Sequence, residues 1–391
     1  MKKQKICIIG GGLTGLVTAI GLSELDCNID LISGKINQNY KTNSTLAISQ
    51  NNYYFLKKLK IFNSSGKELW PCSQMKLYSE IENEKFLEIF EFDKEKSDRK
   101  ILYMIKNSDL IKLMIKKIRD TKSISLKENS LISEIKNFGA LQGIKNKKNF
   151  KASNDSKYNL IIVCTGNDSK LVNNFFDKKM IKNSYNETSI TTILNHRKTN
   201  NNIARQIFLK DEILALLPLS NSQTSIVWSL KNNIYKKDKN LFKKKIELYS
   251  KNFLTEIKFL NKIESKSLNF LIRNKYYNKR TLLFGDLLHM VHPLAGQGFN
   301  MTLRDLSFLK KILRNKIKLG LDIGNTDVLS EFTDLAKPRN FAYSIGIDFL
   351  KRYFSFNSYF KLSRNYMLKK MNKNNAFKEI LFSIADKGLK F

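Results

Sequence analysis

The chain has 391 residues, 42% of them hydrophobic, which suits two or three domains, or one large α/β domain with an insertion, and is too apolar for a disordered polymer. The formal net charge is +34, but 58 of the 69 basic residues are lysines, scattered through every segment beside 42 asparagines. Nucleic-acid readers favour the planar arginine fork, so the charge reads first as compositional bias, second as attraction to an anionic membrane surface, and excludes nucleic acid as a main partner.

Four cysteines (Cys7, Cys27, Cys72, Cys164) without C-x-x-C spacing and three histidines (His196, His289, His292) make no zinc or iron–sulfur pattern. Cys7 and Cys164 sit in apolar runs and are expected as buried, reduced thiols. The N-terminal apolar run to Leu22 is interrupted by Gly10, Gly11, Gly12 and Gly15 and lacks a cleavage site, so it reads as fold rather than export signal. No uninterrupted apolar run reaches the roughly 18 residues a membrane span needs.

In chain order, Lys5–Ile9 is a short, fully apolar run, as expected of a buried parallel strand. Gly10-Gly11-Gly12-Leu13-Thr14-Gly15 follows at once, then helical spacing over Leu16–Leu25, then a second strand at Ile29–Ile32. In this strand–glycine–helix context Gly10 permits the tight turn and Gly12 lets the backbone approach a pyrophosphate. Gly15 allows close helix–strand packing, and the helix N-terminus offers free N–H groups to the anion. Ser33 stands where an acidic residue normally ends the second strand, and Asp30, inside the strand, should point elsewhere. Period-two alternation over residues 71–104 predicts antiparallel strands with one wet face. Asn107–Arg119 reads as a helix with Leu110, Met114 and Ile118 on one stripe. Residues 125–165 read as strands, 172–275 as strand-rich with a basic helix near Lys243–Phe259, and 335–391 as helical, basic and aromatic.

The most informative stretch is residues 281–306. An apolar strand, Thr281–Phe284, ends in Gly285-Asp286; a loop carries His292-Pro293; Gly296-Gln297-Gly298-Phe299-Asn300 then opens a helix. This is a second helix N-terminus offered to a ligand, suited to stabilising negative charge on a reduced flavin, with Asp286 placed to accept from ribityl hydroxyls. The string Gly285-Asp286, His289, Pro293, Gly296-Gln297-Gly298-x-Asn300 resembles the FAD signature of the group A flavin monooxygenases. With Leu294-Ala295 and Arg304-Asp305 it resembles the ubiquinone-biosynthesis hydroxylase branch, the 2-polyprenyl-6-methoxyphenol hydroxylase-like enzymes. Leu46–Ser49, Ala215–Leu219, Ser225–Ser229, Lys337–Arg339 and Asp348–Leu350 echo the same branch, so the resemblance runs from residue 5 to about 370. The chain departs from the pattern at Ser33, Ser44, Thr165 and Val172.

The resemblance implies an α/β (α+β) fold: a Rossmann-like FAD-binding domain (1–70, 105–171 and 276–334), an inserted, mostly antiparallel β-sheet substrate domain (71–104 and 172–275) and a helical C-terminus (335–391). It implies FAD held by Gly10, Gly12, Leu13, Thr14, Gly15, Ser33, Asp286, Pro293, Gly296, Gln297, Gly298, Phe299 and Asn300. Pro293 would sit near the flavin, and no side chain would act as catalyst. Leu217, Pro218 and Trp228 are candidates for the substrate pocket and equally for sheet core. The implied activity is ring hydroxylation of a polyprenyl phenol in ubiquinone biosynthesis, with NAD(P)H and O2, through a flavin C4a-hydroperoxide. The enzyme would be cytoplasmic, peripheral to the inner face of the membrane, with other ubiquinone-biosynthesis proteins as further partners. Two alternatives stay open: a same-fold flavoenzyme acting on another aromatic or lipid, and a non-catalytic flavin-fold subunit of a biosynthetic complex.

Overall fold

A computed structural model of the chain describes residues 3–36, 42–63, 66, 68–81, 85–93, 100–146, 157–166, 171–172, 180–235, 241–355 and 361–388. A short run that is apolar on both faces belongs where both faces are covered. Accordingly, strand Gln4–Ile9 lies inside a six-stranded sheet, parallel to Cys27–Ile32 on one side and Leu160–Val163 on the other. Ile124–Lys127 and Thr281–Leu283 extend the sheet in parallel, and Tyr277–Asn278 closes one edge antiparallel.

The helices are α1 (Leu13–Leu22), α2 (Gln50–Lys58), α3 (Asn107–Arg119), α4 (Asn232–Tyr235), α5 (Leu241–Ser250), α6 (Gln297–Lys318), α7 (Thr326–Ser355), α8 (Lys361–Asn372) and α9 (Asn375–Lys387). Helix α3 matches the sequence expectation. Helix α1 starts earlier than Leu16 and stops at Leu22, because Gly12 is its N-cap and Ser23 its C-cap. Gly21 lets α6 approach: a Cβ there would lie 2.8 Å from Leu306 Cδ2. Asp30 points away from the glycine loop, as expected, and ties three strands together. It accepts from Lys127 Nζ and Tyr158 OH, each at 2.8 Å, with Lys5 Nζ at 3.4 Å. Burial alone would raise its pKa, but these partners outweigh it and hold the carboxyl below its ordinary value.

A second, nine-stranded sheet runs in the order His289–Met290, Glu264–Arg273, Met180–Asn195, Gln223–Lys231, Glu212–Ser220, Ile203–Leu209, Gln74–Glu80, Phe86–Asp93, with Lys258–Phe259 also on Met180–Asn195, and Ile132–Phe138, Leu141–Asn146 and Lys157–Tyr158 form a small sheet of their own. Its pairings are antiparallel except Ile203–Leu209 with Gln74–Glu80, which join two distant pieces of chain in parallel. A three-stranded sheet, Thr45–Ser49, Leu102–Lys106 and Trp70–Cys72, stands beside it.

Two expectations are corrected. The basic helix expected over 243–259 is α5, which ends at Ser250; Glu256 takes a left-handed backbone (φ 53°), and Lys258–Phe259 pair as a strand. The strands of residues 71–104 are present: the polar face carries half-buried Lys76, whose Nζ pairs with Glu88 (3.2 Å) and Glu91 (3.1 Å), and the apolar face is covered by the C-terminal helices. Asn372 of α8 accepts from Glu91 N, and Phe377 of α9 packs edge-on to Phe90. The boundary expected at 334/335 falls inside α7, which runs on through Pro338. Of the tail aromatics, Tyr343 and Phe354 turn inward while Phe341, Phe349 and Tyr366 are exposed; Phe356, Tyr359 and Phe360 lie outside the described residues.

Candidate functional site

The glycine loop is built by close approach. Gly10 has φ +126°, and a Cβ there would lie 2.7 Å from Cys164 O, so only glycine fits against the end of strand Leu160–Val163. A Cβ on Gly11 would strike Ser33 Oγ at 2.0 Å, and one on Gly15 would strike Gly10 O at 1.8 Å. Gly12 differs: no atom lies within 4 Å of a Cβ built there. Helix α1 begins at this open position with no side-chain cap and no acidic residue in its first turn. Its positive end therefore faces space.

The second signature meets the first. Gly285 (φ +67°) lies against Thr14, whose Cγ2 would be 2.5 Å from a Gly285 Cβ. Asp286, next in chain, is exposed and makes no hydrogen bond or ion pair among the described residues. Pro293 is half-buried and leads into a single helical turn, Leu294–Gly296. Gly296 (φ +64°) is the N-cap of α6, packed so that a Cβ would sit 3.0 Å from Ala47 Cβ. Helix α6 also starts without a side-chain cap or an acidic residue, and a Cβ on Gly298 would meet nothing within 4 Å.

The side chains of this segment hold the loop itself. Asn300 Nδ2 donates to Ala47 O (2.7 Å) and Gly296 O (3.2 Å), and its Oδ1 accepts from Ser49 N (3.0 Å) and Asn52 Nδ2 (2.9 Å). Gln297 Oε1 accepts from Tyr343 OH at 2.8 Å. Phe299 is half-buried against the main core. Groups left free for a ligand are thus backbone N–H groups at two helix ends rather than amide side chains. Behind the loop, Asp305 accepts from His289 Nε2 (3.0 Å) and Asn340 Nδ2 (2.9 Å), and Arg304 stacks on Tyr343 at 4.3 Å.

The softened positions sort unevenly. Ser33 is buried, with its hydroxyl against Gly11 at the end of the second strand. Thr165 Oγ1 is buried with no hydrogen-bond partner among the described residues, next to Gly10. Val172 is buried, and Ser44 uses its backbone to accept from Asn107 N. An orphaned hydroxyl, an unpartnered carboxylate and two open glycine positions at two uncapped helix ends fit a cofactor with a pyrophosphate, a polyol chain and a polarisable ring.

The pocket candidates separate by face. Leu217, on Glu212–Ser220, faces the cluster holding Ala47, Met104 and Trp70, where Thr45 Oγ1 lies 3.0 Å from Ser225 Oγ. Pro218 is buried at the bulge that follows. Trp228 lies on the opposite face: its ring meets Phe242 and Tyr249 edge-on and Nε1 donates to Glu212 at 3.0 Å. On this placement Trp228 is sheet core, not pocket wall. Sequence reading missed Glu187 and Lys351, which meet His292 only through long-range packing.

Because Gly12 faces open space, Gly12→Ala is expected to unfold at the temperature of the parent chain yet bind FAD at least about tenfold more weakly, about 1.4 kcal/mol. Thermal unfolding and fluorescence titration check the two halves separately; a destabilised variant with full affinity would overturn the assignment.

Comparison with known proteins agrees with this geometry. A family model described as FAD binding domain matches residues 3–319. The mitochondrial ubiquinone biosynthesis monooxygenase COQ6 of Dictyostelium discoideum is 23% identical over 97% of this chain and 90% of its own. The ubiquinone hydroxylase UbiL of Rhodospirillum rubrum is 28% identical over 44% of this chain and 41% of its own. Among solved structures, p-nitrophenol 4-monooxygenase PnpA of Pseudomonas putida superposes with a TM-score of 0.73 at 13% identity, over 100% of this chain and 99% of that one. The glycine loop, the Gly285–Asn300 segment and a family match across most of the chain lead to one conclusion: the protein belongs to the FAD binding domain family, among its FAD-dependent monooxygenases.

Proposed function

We propose that the chain hydroxylates the aromatic ring of a polyprenyl phenol in ubiquinone biosynthesis, using FAD, NAD(P)H and O2, while resting on the inner face of the cytoplasmic membrane. The observation that carries this reading is the contact of Thr14 with Gly285, which joins the uncapped start of α1 to the strand end that carries Asp286; the same segment runs on to the uncapped start of α6. The near full-length likeness to a ubiquinone biosynthesis monooxygenase supports the substrate class.

Bound FAD supplies the redox and oxygen chemistry. The protein's part is binding, orientation and exclusion of water. The N-terminus of α1, from Gly12 to Gly15, takes the pyrophosphate, with Ser33 beside the ribose. Asp286 accepts from the ribityl hydroxyls, and the N-terminus of α6 stabilises negative charge on the ring system. Ala215, Leu217, Leu219 and Val227, half-buried on the sheet, offer an apolar wall for a phenol ring.

No helix among the described residues is long and apolar enough to cross a membrane. A surface mode suits α7, where Phe341, Ile345 and Phe349, each four residues apart, are 47%, 43% and 64% exposed. The purified protein is expected to keep a flavin absorption spectrum through desalting and to oxidise NAD(P)H faster when a short-chain polyprenyl phenol in detergent is added, with hydroxylated product by mass spectrometry. Retained flavin with no hydroxylation of polyprenyl phenols, but turnover of a soluble phenol, would sink the substrate assignment. Failure to take up FAD would sink the enzyme reading.

A further inference from the structure

His292 immediately precedes Pro293, yet it is turned into the protein rather than toward the loop's open side. Its Nε2 lies 3.2 Å from Glu187 Oε2, and the ring is 1% exposed. Glu187 sits at a register shift in strand Met180–Asn195, one residue after Asn186, whose backbone is left-handed (φ 54°). Its other oxygen, Oε1, receives Lys351 Nζ from α7 at 2.6 Å. Tyr185 completes the cluster: Lys351 Nζ lies 4.7 Å over its ring and the His292 ring packs edge-on to it at 5.4 Å. Asp348, one turn before Lys351, also faces this group and is paired with Arg352 at 2.7 Å. Three chain segments far apart in sequence thus converge on the residue that starts the flavin turn.

A buried charge is retained where its removal leaves a partner uncompensated. Here one cation and one carboxylate cancel, and the histidine between them and the loop donates from Nε2. Nδ1 then carries a lone pair and meets no donor among the described residues.

We propose that Lys351 is a positioning residue for the flavin turn: by cancelling the charge of Glu187 it keeps His292 a neutral Nε2 donor, which fixes the Pro293 turn that opens α6. This rests on the flavin assignment of that turn. Burial pushes His292 below its ordinary value of 6.5 against the pull of Glu187, and Glu187 is held below its own ordinary value, since the bonds from His292 and Lys351 outweigh its burial. The sign follows. As pH falls through about 6.5 the unfolded chain binds a proton that the folded site refuses, so stability drops with acid until the folded site itself protonates. Removing Lys351 leaves a buried carboxylate beside the ring. His292 then gains a proton within the fold at a higher pH than in the parent, and the turn becomes pH-sensitive there.

The chain has three histidines, so imidazole nitrogen NMR resolves them, and a His292→Gln variant assigns the signal. The parent is expected to show His292 as the neutral Nε2–H form to lower pH than an ordinary histidine. Lys351→Met should show it protonating at a higher pH than in the parent and weaken FAD binding about tenfold at pH 6 but little at pH 8. Lys351→Arg should restore the parent profile, and the Glu187→Gln/Lys351→Met pair, which removes both charges, should abolish the pH dependence. An unchanged His292 titration in Lys351→Met, or an affinity loss independent of pH, overturns the proposal. A chain that takes up no FAD but shows the shifted titration refutes the flavin reading and leaves the charge cluster intact.

Discussion

Gly15→Ala is expected to abolish FAD binding and lower stability by about 3 kcal/mol or more. The new methyl would stand 1.8 Å from Gly10 O, a backbone atom fixed between strands Cys27–Ile32 and Leu160–Val163. Flexible side chains can yield to an added carbon; a carbonyl held by its neighbours cannot, so α1 has to move off the sheet. That motion breaks the fit of Leu16, Val17 and Ile20 with the core and carries the helix N-terminus away from the loop. Fold and site fail together, unlike in Gly12→Ala, where only the site fails. Urea unfolding followed by circular dichroism measures the first loss and fluorescence titration the second. A Gly15→Ala protein as stable as the parent would contradict the packing described here.

Asn300→Ala is the second large effect. The amide uses both donors and both acceptor positions on Ala47, Gly296, Ser49 and Asn52, and none is replaced by a methyl. Each buried group left without a partner costs about 1–3 kcal/mol, partly relieved by entering water, so a loss of about 3 kcal/mol is expected. Asn300→Asp keeps the acceptors but loses the donors and buries a charge, so it should not rescue. The accompanying prediction is weaker FAD binding, since the N-cap Gly296 is held by this side chain. Full FAD affinity in a stably folded Asn300→Ala protein would separate the stitch from the site.

Much of the site was legible because its physics is local. A fully apolar strand, four glycines and a helix make a loop whose geometry depends on neighbours in sequence, and the same holds for Asp286 through Gly298. Helix α3 was legible for the same reason, with a complete apolar stripe. The parallel pairing of Ile203–Leu209 with Gln74–Glu80 left no mark, since a strand's pattern records which face is buried but not which strand lies alongside. Residues 71–104 showed which face is apolar but not that its cover comes from α8 and α9, far along the chain. The partners of Asn300 and the cluster of Glu187, His292 and Lys351 are contacts between distant segments. A lone buried glutamate or lysine has no periodicity to betray it, and Trp228 could not be divided between pocket and core until the sheet faces were known.

Helix α7 carries one more consequence. Near its start Phe332 packs with Phe284 and Tyr276 beneath the parallel sheet; near its end Phe354 stacks on Phe208 of the large sheet at 3.7 Å. Thirty residues of helix make a strut of about 45 Å whose two ends are bolted to different sheets. A hinge that swung one sheet away from the other would have to tear out one of those aromatic anchors on every turnover. Such a frame cannot breathe as two jaws. Any opening falls instead to the lighter parts at the rim, where Asp386 holds α9 to the start of α2 by two accepted bonds, from Asn51 N and Ser49 Oγ.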